Sequence, residues 1–130
     1  MLKDSVMLPG VERLVRHLKA RGIPIAVATS GASGNFEIKT ARHREIFDLF
    51  DQTVCGGTDP AVKSGKPSPD VFLVAARRLS VDPSDCLVLE DAANGAVAAA
   101  AAGMQASSCS ALLLCDKFSS ELKLFGFKLK

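Results

Sequence analysis

The chain has 130 residues, 48% hydrophobic and 23% charged, with a formal net charge of +2, which is room for one small domain and little more. Its basic residues are scattered, Trp and Tyr are absent and only seven Phe are present, so a basic stripe with stacking platforms for nucleic acid is excluded. No apolar run reaches membrane-spanning length, and the opening residues carry Lys3 and Asp4, unlike a secretory signal.

In chain order, Pro9-Gly10 precedes Val11, Leu14, Val15 and Leu18 at helical spacing, and Gly22 stands where a helix C-cap belongs. Residues 23–28 form an apolar run without polar alternation, as in a strand buried on both faces. The turn Ser30-Gly31-Ala32-Ser33-Gly34 feeds a helical stretch, broken or double, from Phe36 to about Phe50. Residues 53–55 are a brief strand, followed by a loop over 56–60. Pro69-Asp70 starts a helix with Val71, Phe72, Ala75, Ala76 and Leu79 on one face. A turn over 82–85 leads to a second buried strand at 86–89, and an alanine-rich helix over 92–102 ends at Gly103. Helices alternating with short buried strands predict an α/β fold with a parallel sheet.

Three polar stations lie at or near the ends of these apolar runs. Thr29, with Ser30 and Gly31, makes a turn that reads either as an anion site or as a helix N-cap. Lys66, between Gly65 and Pro67, is either a pinned point cation for phosphate or a solvated loop lysine. Glu90 and Asp91 follow a strand at its carboxyl end, where α/β sheets bind ligands. Such oxygens suit Mg²⁺, or they serve as N-terminal charge for the next helix. His17 and His43 read as solvated residues, and Asp48 and Asp51 as polar helix ends. Cys55, Cys86, Cys109 and Cys115 form no C-x-x-C pair, which fits reduced thiols in a cytoplasmic protein.

Taken together, VATSGA at 27–32, GKPSPDVFL at 65–73, VLEDAANG at 88–95 and AGMQ at 102–105 resemble motifs two to four of the haloacid dehalogenase superfamily, in its pseudouridine-5′-phosphatase-like group. The resemblance implies a three-layer Rossmannoid core and Mg²⁺-dependent phosphomonoester hydrolysis of a nucleotide or sugar phosphate. It assigns Thr29, Ser30, Gly31 and Lys66 to the phosphoryl group, with Thr29 and Lys66 catalytic, and Asp91 with Glu90 to the metal.

The chain departs from the family pattern in three places. It has no D-x-D-G-x-x-x-D motif, hence no aspartyl nucleophile, and no small cap between motifs one and two. After AGMQ it continues Ala106-Ser107-Ser108-Cys109 instead of a V-V-x-V-P strand. We therefore expect a shortened variant, inactive alone, with weak Mg²⁺ binding. Its partial core would span 1–105, and its divergent tail 106–130, with family-like segments at 111–115 and 118–127. The partners expected are a small phosphate monoester or inorganic phosphate, with neither nucleic acid nor membrane; a phosphate- or Mg²⁺-binding pseudo-enzyme is the alternative. Loss of the central motif-one strand should leave its two neighbours either paired directly or exposing an edge open to self-association.

Overall fold

The computed structural model describes residues 6–107; the segments expected at 111–115 and 118–127, and Cys109 and Cys115, lie outside them. Helix α1 (Val11–Ala20) buries Val11, Val15 and Leu18, the predicted stripe. It closes with Gly22 at φ +69°, whose N–H donates to Lys19 O at 3.0 Å while Ile23 N–H donates to Leu18 O at 3.0 Å. That paired closure satisfies two end carbonyls and brings Ile23 back onto Leu18 in one apolar cluster. Strand β1 (Ala26–Thr29) follows.

Helix α2 (Ser33–Thr40), a 3₁₀ turn at Ala41–His43 and helix α3 (Arg44–Phe47) then fill the predicted broken helical stretch. Strand β2 (Gln52–Cys55) pairs parallel with β1, Thr29 opposite Cys55. Asp51, expected as a helix-end residue, ties this crossover together. Its carboxylate accepts Ile25 N–H at 3.0 Å and the Lys19 ammonium at 2.6 Å.

Helix α4 (Asp70–Leu79) lies across the sheet, with Val71, Phe72, Val74, Ala75 and Ala76 buried. Strand β3 (Leu87–Leu89), helix α5 (Ala93–Ala101) and strand β4 (Gln105–Ser107) complete the described fold, β4 running parallel to β3. Strand β4 extends two residues past 105, through Ala106 and Ser107. Ala106-Ser107 makes a strand despite its small side chains, because Gln105 N–H donates to Cys86 O at 3.1 Å and Glu90 N–H to Ser107 O at 3.0 Å.

Side-chain alternation along the strands divides the core into two layers. Ala26, Ala28, Cys86 and Val88 face α4 and α5 through Phe72, Ala75, Ala98 and Ala99. Ile25, Leu87 and Leu89 face α1 and α3 through Val15, Leu18 and Ile46. This is the three-layer arrangement expected of an α/β domain with helices on both sheet faces.

Among the described residues the strands form two ladders, β1–β2 and β3–β4, and no ladder joins β1 to β3. Direct pairing is thus not observed. Nor is the expected exposed edge found there, since Ala26, Ala28, Leu87 and Leu89 are all buried. The fully buried Phe72 and Val71 of α4 sit in one cluster with both ladders. At the carboxyl end, the Lys66 ammonium contacts both Ala28 O (3.4 Å) and the Glu90 carboxylate (2.5 Å).

Candidate functional site

The turn after β1 is clamped from beneath. Thr29 O accepts Gly56 N–H at 2.7 Å and Gly31 O accepts Gly57 N–H at 3.1 Å, while Ser33 N–H donates to Thr58 Oγ1 at 3.1 Å. The approach is so close that a Cβ on Gly57 would stand 2.9 Å from Ala32 N. Inside the turn, Gly31 N–H donates to Thr29 Oγ1 at 3.1 Å. That bond fixes the Thr29 rotamer and leaves its hydroxyl hydrogen free to donate outward. It also engages the Gly31 N–H, one of the groups expected to hold phosphate.

Lys66 is delivered by the loop before α4. The Asp70 carboxylate accepts Lys63 N–H at 3.0 Å and Ser64 N–H at 2.9 Å, and Ser68 N–H donates to Gly65 O at 2.9 Å. The Ser64 N–H, then the Ser68 hydroxyl and the Lys63 N–H, hold the Asp70 carboxyl below the usual carboxylate range. The Lys66–Pro67 peptide is cis. The ammonium lies 4.7 Å above the centre of the Phe72 ring and donates to Ala28 O and Glu90 Oε2. An ammonium has three donors, so one N–H remains for a ligand.

Glu90 occupies the end of β3 with a side chain only 4% exposed, against 12% for Lys66. Its Oε2 takes Lys66, and its Oε1 accepts the N–H groups of Asp91 at 3.1 Å and Ala92 at 3.2 Å. Burial opposes ionisation of Glu90. The Lys66 ammonium and the two N–H donors outweigh it and hold the carboxyl below its ordinary value. Gly95 leaves the room for this carboxylate: a Cβ there would come closer than 3.0 Å to Glu90 Cγ, carboxyl carbon and Oε2.

Thr29, Ser30, Gly31, Lys66 and Glu90 line one cavity of about 300 Å³, so the structure brings the three sequence stations together. Asp91 does not line it and is exposed. Both Glu90 oxygens are engaged, and no three His, Cys, Asp or Glu side chains converge among the described residues. Of the Glu90–Asp91 pair expected to hold Mg²⁺, Asp91 is therefore the carboxylate whose oxygens stay open to a cation, and Mg²⁺ commonly takes only one or two protein carboxylates beside water and phosphate. The cavity also has walls that the sequence reading missed. Asn35, Phe36 and Lys39 come from α2, Phe47 from α3, and Asn94 with Gly95 from α5. The available signal was the i, i+4 spacing of Asn35 and Lys39 directly after the Thr-Ser-Gly turn.

The sequence matches the haloacid dehalogenase-like hydrolase family over residues 2–103. It is 52% identical over 107 residues to a probable pseudouridine-5′-phosphatase of Drosophila melanogaster, covering 81% of this chain and 46% of that protein. It is 50% identical over 111 residues to (DL)-glycerol-3-phosphatase 1, mitochondrial, of Arabidopsis thaliana, covering 80% and 37% respectively. The chain thus spans less than half the length of these two curated relatives. The crystal structure of CbbY from Rhodobacter sphaeroides in complex with phosphate superposes with a TM-score of 0.70 at 28% identity, covering 90% of this chain and 52% of that one. The match over residues 2–103, the parallel α/β core and the cavity at its strand ends agree: this chain belongs to the haloacid dehalogenase-like hydrolase family.

Proposed function

We propose that this chain carries the phosphate-holding part of a haloacid dehalogenase-type phosphatase site. By itself it binds a small phosphate monoester, or inorganic phosphate, without hydrolysing it. The observation that carries this reading is the convergence of the Thr29 hydroxyl, Ser30 and the third Lys66 donor on one cavity at the strand ends. Fixed donors of this kind do most of the work in phosphoryl transfer, where positioning and charge neutralisation dominate. The similarity to pseudouridine-5′- and glycerol-3-phosphatases supports a nucleoside or sugar phosphate as ligand.

Turnover needs a nucleophile in line with phosphorus. Among the described residues the only carboxylate lining the cavity is Glu90, and it is tied to Lys66 and two backbone donors. A free carboxylate for attack is therefore not offered, and the given sequence contains no D-x-D. Asp91 is the one carboxylate left to share a Mg²⁺ with water and phosphate oxygens, which supports weak metal binding.

Phosphorus-31 magnetic resonance of pseudouridine 5′-phosphate, with and without the chain and Mg²⁺, tests both halves of this proposal. The ester resonance should broaden in proportion to protein while no inorganic phosphate resonance grows. Growth of that resonance would refute the absence of turnover, and an unbroadened ester line would refute binding.

A further inference from the structure

The cavity is not charge-balanced. Of its charged lining residues, Lys66 and Glu90 neutralise each other, which leaves Lys39. Its ammonium has no ion-pair or hydrogen-bond partner among the described residues, although the side chain is half-buried and lines the cavity. Asn35 lies one helical turn earlier on the same face of α2, and Phe36 closes the wall between them, packed edge-to-face on Phe47 with ring centres 5.5 Å apart.

The order of these groups along α2 gives the cavity a direction. The phosphoryl donors sit in the turn that feeds the helix amino end. Asn35 comes within the first turn, and Lys39 about 6 Å further along the axis. Helical side chains lean toward the amino end, which agrees with Lys39 lining the cavity from its place one turn beyond Asn35. A ligand whose phosphoryl group sits at Thr29 and Lys66 would project the rest of its body along this wall.

Resting on the binding site proposed above, we infer that Lys39, with Asn35, is a specificity-determining contact for a second anionic group on the alcohol part of the ligand. The ligand class is then a phosphate monoester that also bears a carboxylate or a second phosphate. Phe36 and Phe47 supply the apolar surface for the carbon skeleton between the two anions. A bare lysine left without a counter-charge at the edge of an otherwise neutral pocket is complementary to an anion, and one charge-assisted hydrogen bond there is worth about tenfold in affinity.

The test is calorimetric titration of the full chain and of Lys39→Gln and Lys39→Arg with four probes. These are inorganic phosphate, glycerol 3-phosphate, 3-phosphoglycerate and fructose 1,6-bisphosphate, all at one pH and ionic strength. Urea midpoints confirm that each variant is folded. In the unaltered chain the two-anion probes should bind about tenfold tighter than glycerol 3-phosphate. That ratio should fall to near one in Lys39→Gln and be retained in Lys39→Arg. A preference confined to the bisphosphate, or to the carboxylate, identifies the second anion. A ratio near one in the unaltered chain, or one that survives Lys39→Gln, overturns the inference while leaving phosphate binding intact. Absence of saturable binding by every probe, inorganic phosphate included, overturns the binding site itself.

Discussion

Replacing Gly95 by alanine sets two effects of known size against each other. Gly95 lies in the first turn of α5, and glycine-to-alanine inside a helix ordinarily stabilises by about 0.5–1 kcal/mol. The new Cβ, however, would overlap the end of the Glu90 side chain. On the surface a carboxylate would swing aside at little cost. Glu90 has no such freedom, being 4% exposed and bonded to Lys66 and two N–H groups. Deleting one partner of a buried ion pair costs about 3–5 kcal/mol. Here both partners survive and Lys66 can partly rehydrate, so about 2–3 kcal/mol is the appropriate scale. The clash wins, and the net expectation is a loss of about 1–2.5 kcal/mol. Urea unfolding followed by far-UV circular dichroism reads this as a lower midpoint at constant slope. In a Glu90→Ala background the overlap is gone and Gly95→Ala should regain its ordinary helical benefit, a coupling of about 2–3 kcal/mol. Equal stability of Gly95→Ala and the unaltered chain, or equal losses in both backgrounds, would refute the reasoning.

Other consequences follow from the same contacts. Glu90 has a folded pKa below its unfolded value, so between the two values the unfolded chain binds more protons. Its contribution to stability is complete above the ordinary glutamate pKa of about 4.3 and is lost as pH falls through the lower folded value. The acid limb of a urea-midpoint-versus-pH profile should therefore flatten in Glu90→Gln. Asp70→Ala frees the Lys63 and Ser64 N–H groups and unpins the Lys66 loop, so phosphate affinity in calorimetry should fall severalfold while helix content by circular dichroism is retained. Ser80 closes α4 at φ 57°, a conformation that costs a side-chain-bearing residue about 1 kcal/mol. Ser80→Gly should raise the thermal midpoint, by about 0.5–1 kcal/mol in stability.

Much of the fold was legible because its signals are local. The stripe Val11, Val15 and Leu18, the cap at Gly22 and the run ending at Leu89 each specify an element from neighbouring residues. Two elements were not legible. Strand β4 has neither apolar alternation nor β-branched residues, and it exists through backbone bonds to β3 that only the tertiary structure supplies. The αL closure at Ser80 carries no glycine to announce it. In the site, Thr29, Lys66 and Glu90 converge as their positions at the strand ends imply. Adjacent Glu90 and Asp91 looked equivalent, yet burial separates them: one is locked to Lys66 and the other is exposed. Asn35, Lys39 and Phe47 were missed because the i, i+4 spacing puts Asn35 and Lys39 on one face of α2 without saying what that face covers, which depends on how α2 and α3 lie over the strand ends.

The central claim is that this chain holds a phosphoryl group at Thr29 and Lys66, and titration with inorganic phosphate tests it most directly. Calorimetry should show saturable one-site binding to the unaltered chain, weakened about tenfold in Thr29→Val, which loses a single hydrogen bond to a charged ligand. A chain that unfolds cooperatively in urea but gives no saturable heat, or a Thr29→Val variant that binds phosphate equally well, would contradict it.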